Sequence, residues 1–139
     1  MPDRVLFRSA AFPKYPDEDA ETVNEHCWGK RLAEWLRDGL PAHGVKTGEI
    51  LCEDWGWLVP VEHGGDFPVW VGCGVVEDED DEAPATGESE FTAFVAAEPG
   101  FFKRLFKKVD TTSGTEPVLT ALRAMVDSSP DIREVRWED

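Results

Sequence analysis

From Glu49 to Val61 the chain reads Glu-Ile-Leu-Cys-Glu-Asp-Trp-Gly-Trp-Leu-Val-Pro-Val. Successive side chains of an extended strand point to opposite faces. A single strand here therefore sets Leu51, Glu53, Trp55, Trp57, Val59 and Val61 on one side, and Ile50, Cys52, Asp54, Gly56 and Leu58 on the other. Two indoles on one flank need a sheet with a buried face. The same period puts a carboxylate, Glu53, in the indole row, and Gly56 leaves a gap in the opposite surface beside Asp54.

The neighbouring runs extend that sheet. Phe67–Val76 alternates, with Phe67, Val69, Val71, Cys73 and Val75 on one face and Trp70, Gly72, Gly74 and Val76 on the other, and Gly64-Gly65 before it signals a hairpin. Val5-Leu6-Phe7, Phe91–Ala97 and Ile132–Trp137 read as further strands, the last with Val135 and Trp137 inward. Apolar residues at three- and four-residue steps from about Ala20 to Leu40 predict a first helix, capped by Asp17 or Asp19, with Trp28 and Trp35 on its buried face. Phe101–Lys108 reads as a short basic amphipathic helix. Another helix follows, capped by Ser113 or Thr115, with Pro117 in its first turn and a stripe of Val118, Leu119, Leu122, Met125 and Val126. The expected order is β-α-β-β-β-α-α-β: an α+β fold, mostly antiparallel, of about five strands with two main helices packed on one face. At 139 residues, with 41% hydrophobic side chains and six tryptophans, residues 1–139 form a single domain with a core of ordinary size.

Charge excludes some partners. The formal net charge is −15, and eight of the 29 acids fall between Glu77 and Glu90 with no base among them. That segment is expected to be a flexible acidic loop. Nucleic-acid backbones and anionic membranes need a positive footprint, so neither is expected as a partner. Basic proteins are. Cys27, Cys52 and Cys73 are widely spaced and odd in number, which fits core thiols in a reducing compartment, and the N-terminus has no signal-like apolar stretch. A cytoplasmic location is the expectation, with self-association left open.

Catalytic signatures are sparse. Glu53, Asp54, His63, Asp66 and Cys73 lie around one hairpin, yet their spacing matches no zinc framework, and no metal or other cofactor is expected. His26 and Cys27 are adjacent in a helical run and do not face each other. Glu53 beside Trp rings could serve as an acid or base after desolvation. The plainer alternative is an ion pair with Arg4, Arg8 or Arg133. The leading expectation is a small acidic protein-binding module of the inhibitor, immunity or adaptor kind. It would dock on a more basic partner through Glu53, Asp54, Trp55 and Trp57, with Asp78, Glu79, Asp80, Asp81 and Glu82 steering the encounter. The alternative is a small-molecule enzyme or ligand-binding domain. Its cleft would open near Gly56, Gly72 and Gly74, with Glu53 or Asp54 as general base and His63 as acid.

Overall fold

The computed structural model describes residues 3–18, 28–62, 68–76, 88–97 and 112–138. Seven strands form one antiparallel sheet: β1 (Arg4–Ser9), β2 (Lys46–Thr47), β3 (Leu51–Glu53), β4 (Gly56–Glu62), β5 (Val69–Val75), β6 (Ser89–Ala97) and β7 (Ile132–Glu138). Their spatial order is β2-β4-β5-β6-β1-β7, with β3 also paired to β4. The N-terminal strand is thus interior, held between β6 and the C-terminal strand. Among the described residues, two helices, α1 (Lys30–Gly39) and α2 (Thr112–Ser128), pack on one face, and a 3-10 turn at Leu40–His43 follows α1.

Alternation decides which residues meet the helices. Val5 and Phe7, Trp57, Val59 and Val61, Val69, Val71, Cys73 and Val75, and Phe91, Ala93 and Val95 all point inward from their strands and are buried. They close on Leu32, Ala33, Leu36 and Leu40 from the α1 region and on Val118, Leu119, Leu122, Met125 and Val126 from α2. Burying one such aliphatic or aromatic side chain contributes about 1.5–3 kcal/mol. Rings dominate one end of this core, where Phe7 stacks on Phe91, with Phe12 and Trp28 edge-on to Phe91.

The α+β class, the inward rows of β4 and β5 and the α2 stripe follow the sequence reading. Other particulars differ. Two extra strands arise because the Lys46–Glu53 region supplies two short segments, both laid along β4. The first helix does not run through Trp28: Gly29 takes φ +152, the Trp28 carbonyl accepts a bond from the Val75 N–H at 2.8 Å, and α1 begins at Lys30, while the expected start near Ala20 lies outside the described residues. Trp28 therefore reaches the core from outside the helix, while Trp35 packs against its margin. Pro117 falls within α2, past its first turn. The expected basic helix at Phe101–Lys108 and the Gly64-Gly65 turn lie outside the described residues.

Candidate functional site

The Trp-Gly-Trp run is not one strand. Glu53 pairs with Gly56 and Cys52 with Trp57, so the chain reverses at Asp54–Trp55 in a two-residue hairpin. Gly56 makes the reversal possible. It takes φ +152, where side chains are strained, and a Cβ on it would sit 2.5 Å from the Cys73 carbonyl oxygen. The hairpin sends the two indoles to opposite faces, which corrects the expectation that they share one. Trp57 is 4% exposed within the core, whereas Trp55 is 41% exposed on the far side of the sheet. Of the four residues proposed from this run, Asp54 and Trp55 are exposed, Glu53 is half-buried and Trp57 is buried.

Register defines that outer face. Leu51 lies opposite Leu58, Leu58 opposite Gly72, Gly72 opposite Phe94, and Phe94 opposite Arg4; Pro60, Trp70 and Ala96 form the next row. Trp55 folds over these rows. It stacks on Trp70 with centroids 5.5 Å apart and planes at 22°, and it meets Phe94 at 5.4 Å. Trp70 meets Phe94 edge-on at 5.7 Å, and the Arg4 guanidinium lies 5.1 Å from the Phe94 centroid. Each aromatic pair contributes about 0.5–1.5 kcal/mol beyond the area it buries. Gly72 is the floor of the cluster, since a Cβ there would fall 2.3 Å from the Phe94 ring. With Leu51 half exposed at the adjoining edge, this is an aromatic patch that no described element covers.

Toward β7 the same face becomes charged. Glu88 accepts from Arg8 at 3.0 Å and pairs with Arg133 at 3.3 Å, Glu90 pairs with Arg136, and Glu134 lies 3.6 Å from Arg8. Glu88 and Glu90 thus belong to the start of β6 and its ion pairs, not to a free acidic loop. The bases expected for Glu53 are engaged here, and Arg4 is on Phe94. Glu53 itself makes no side-chain hydrogen bond or ion pair with a described residue, contrary to the ion pair considered for it. Asp78, Glu79, Asp80, Asp81 and Glu82 lie outside the described residues, as do His63, Asp66, His26 and Cys27.

The glycines expected to open a cleft are filled by protein. Phe94 occupies the space above Gly72, the Cys73 carbonyl that beside Gly56, and backbone of Gly56, Trp28 and Trp55 lies in van der Waals range of Gly74. Depressions among the described residues lie elsewhere. One of about 440 Å³ lies between the 3-10 turn and α2, with exposed His43 and Glu116 on its wall, and one of about 380 Å³ lies beside Arg4, Phe94 and Thr115. Among the described residues no three His, Cys, Asp or Glu side chains are grouped to hold a metal. Comparison with protein-family models, with curated proteins and with solved structures finds no match.

A buried carboxylate escaped the sequence reading. Glu18 is fully buried, and its Oε2 accepts bonds from Gly29 N at 2.7 Å, Lys30 N at 3.2 Å and the Trp57 indole N–H at 3.2 Å. Its Oε1 accepts from Tyr15 N at 3.3 Å. It caps the N-terminus of α1 from eleven residues upstream of Gly29; Asp19, one of the two caps expected, lies outside the described residues. Orphan helix donors and the positive end of the dipole both favour an anion there. With four donors satisfied, Glu18 is a structural anchor that ties the first loop, α1 and β4 together. Burial, and then the Glu18 charge, push the Cys73 thiol far above its usual range, so Cys73 is protonated and unreactive. No described helix is long and apolar enough to cross a membrane.

Proposed function

We propose that this chain is an acidic protein-binding module that docks on a more basic partner through the outer face of its sheet. One observation carries the reading: Trp55, Trp70 and Phe94 form an open aromatic patch, with Glu53 and Asp54 at the hairpin that presents it. Tryptophan is enriched at the energetic centres of interfaces, and aromatic residues ringed by polar groups match interface anatomy. A net charge of −15 favours a basic partner and fast encounter at low salt. Trp57 drops out of the contact set because it is core, and Trp70 and Phe94 join it. The acids Asp78 to Glu82 retain their proposed steering role.

The test is affinity capture from the native host at low and high salt, comparing the wild-type chain with Trp55→Ala and Glu53→Lys. The reading expects a basic protein retained by the wild type, released by salt and weakened at least tenfold by either substitution. Capture that is indifferent to both substitutions and to salt refutes it.

A further inference from the structure

We infer that the Trp55–Trp70 stack, on the sheet face that also carries Glu53, is a receptor for an arginine side chain of the basic partner. The inference rests on the protein-binding reading above and specifies its chemistry. Trp55 stacks on Trp70 and meets Phe94, yet it remains 41% exposed. Glu53 shares the outer face with Trp55, two residues away across the hairpin, and no described cation neutralises it. An accessible indole on the same outer face as a carboxylate that no described cation neutralises matches both halves of a guanidinium. The flat cation stacks on the ring, and its N–H fork bonds the carboxylate.

This protein already uses the ring half of that pairing within itself, with lysine (Lys30 over Tyr15 and Trp57) as well as with arginine. Arg4 lies over Phe94 in the same cluster, Arg31 lies over Tyr15 at 4.0 Å, and Arg123 lies over Trp137 at 4.5 Å. In the cluster, neither Trp55 nor Trp70 carries such a cap among the described residues. A lysine fits less well, because its ammonium is compact, strongly hydrated and without a planar fork. A second copy of the chain is a poor occupant: it would bring another −15 of formal charge against the Glu53–Asp54 hairpin.

The test uses the intact chain and two capped peptides of equal charge, Gly-Arg-Gly-Arg-Gly and Gly-Lys-Gly-Lys-Gly, titrated at about 20 mM and 150 mM salt. Indole N–H resonances and tryptophan fluorescence report the binding. The arginine peptide should bind about threefold to tenfold more tightly, as expected for one added cation–π contact with a charged fork. The largest indole shifts should fall on Trp55 and Trp70. Trp55→Ala should abolish the preference while leaving a weak, equal attraction for both peptides, and Glu53→Gln should reduce the arginine affinity. Equal affinity of the two peptides in the wild type, or shifts confined to other tryptophans, overturns the arginine receptor and leaves the acidic docking face standing. Failure of both peptides to bind at low salt counts against both readings.

Discussion

Replacing Glu18 with alanine removes the acceptor for four donors at once. Two of them, the Gly29 N–H and the Trp57 indole N–H, bond Glu18 in buried surroundings. A buried donor left unpaired costs about 1–3 kcal/mol, and loss of bonds to a charged acceptor falls in the same range. Relief of the carboxylate's own desolvation opposes this, but truncation of one member of a buried charged set remains strongly unfavourable. The expected loss for Glu18→Ala is about 3–5 kcal/mol, at the upper end for a single substitution. Glu18→Gln keeps one accepting oxygen but turns an amide toward donors, and should lose about 1–2 kcal/mol. Urea unfolding followed by tryptophan fluorescence measures both, and with a slope of about 2 kcal/mol per molar the alanine midpoint should fall by about 1.5–2.5 M. Trp57→Phe removes the indole donor, so the double variant should be less damaged than the sum of the singles by about 1 kcal/mol. An alanine loss below about 1 kcal/mol, or strict additivity with Trp57→Phe, would refute the anchoring role.

Gly72→Ala drives a methyl group into the Phe94 ring and should cost about 1–3 kcal/mol by overpacking; it should also alter the near-ultraviolet circular dichroism of the Trp55–Trp70 stack, and Phe94→Leu in the same chain should restore much of the loss. Glu134 sits at φ +53 beside the irregularity where β7 meets β1, so Glu134→Gly should relieve strain for a net gain of about 0.5–1 kcal/mol, read as a melting point about 2–4 °C higher. Its 3.6 Å pair with Arg8 is mostly solvent-exposed and offsets little of that gain; a lower melting point would contradict the strain. At pH 8 an aromatic disulfide reagent should modify partly exposed Cys52 well before buried Cys73, as mass spectrometry of digested protein would show. Because the folded Cys73 thiol titrates above its unfolded value, its contribution to stability is intact below about pH 8.5 and is lost progressively as pH rises. Cys73→Ala should flatten that alkaline decline, and an unchanged slope would count against it.

Local pattern carried much of the architecture. The stripe Val118, Leu119, Leu122, Met125 and Val126 is helical at any register, and the alternation in β4 and β5 has one way to bury its valines. The hairpin at Asp54–Trp55 was legible only as the glycine after it. Period-two alternation on both sides of a two-residue reversal hides the break, because the second strand simply starts a new alternation. A run read as one long strand and one read as two short strands differ by a single residue, Gly56, whose φ decides between them. Glu18 lay inside an acidic triplet whose neighbours are equally good caps on local grounds. The choice among them is tertiary, made by the distance to Gly29 and Trp57. The pairing of Arg8, Arg133 and Arg136 with Glu88 and Glu90 depends on strand neighbours far apart in sequence, so no window of sequence displays it.

Because β1 is sandwiched between β6 and β7, it is completed only by strands that lie far later in the sequence. Arg4 lies opposite Phe94 on one side and Glu138 on the other. Until both of those strands have been made, the valine and phenylalanine of β1 belong to a segment with two unpaired edges, the kind of edge that invites pairing with another chain. Loss of β7 alone would turn an interior strand rich in apolar side chains into the new margin of the sheet.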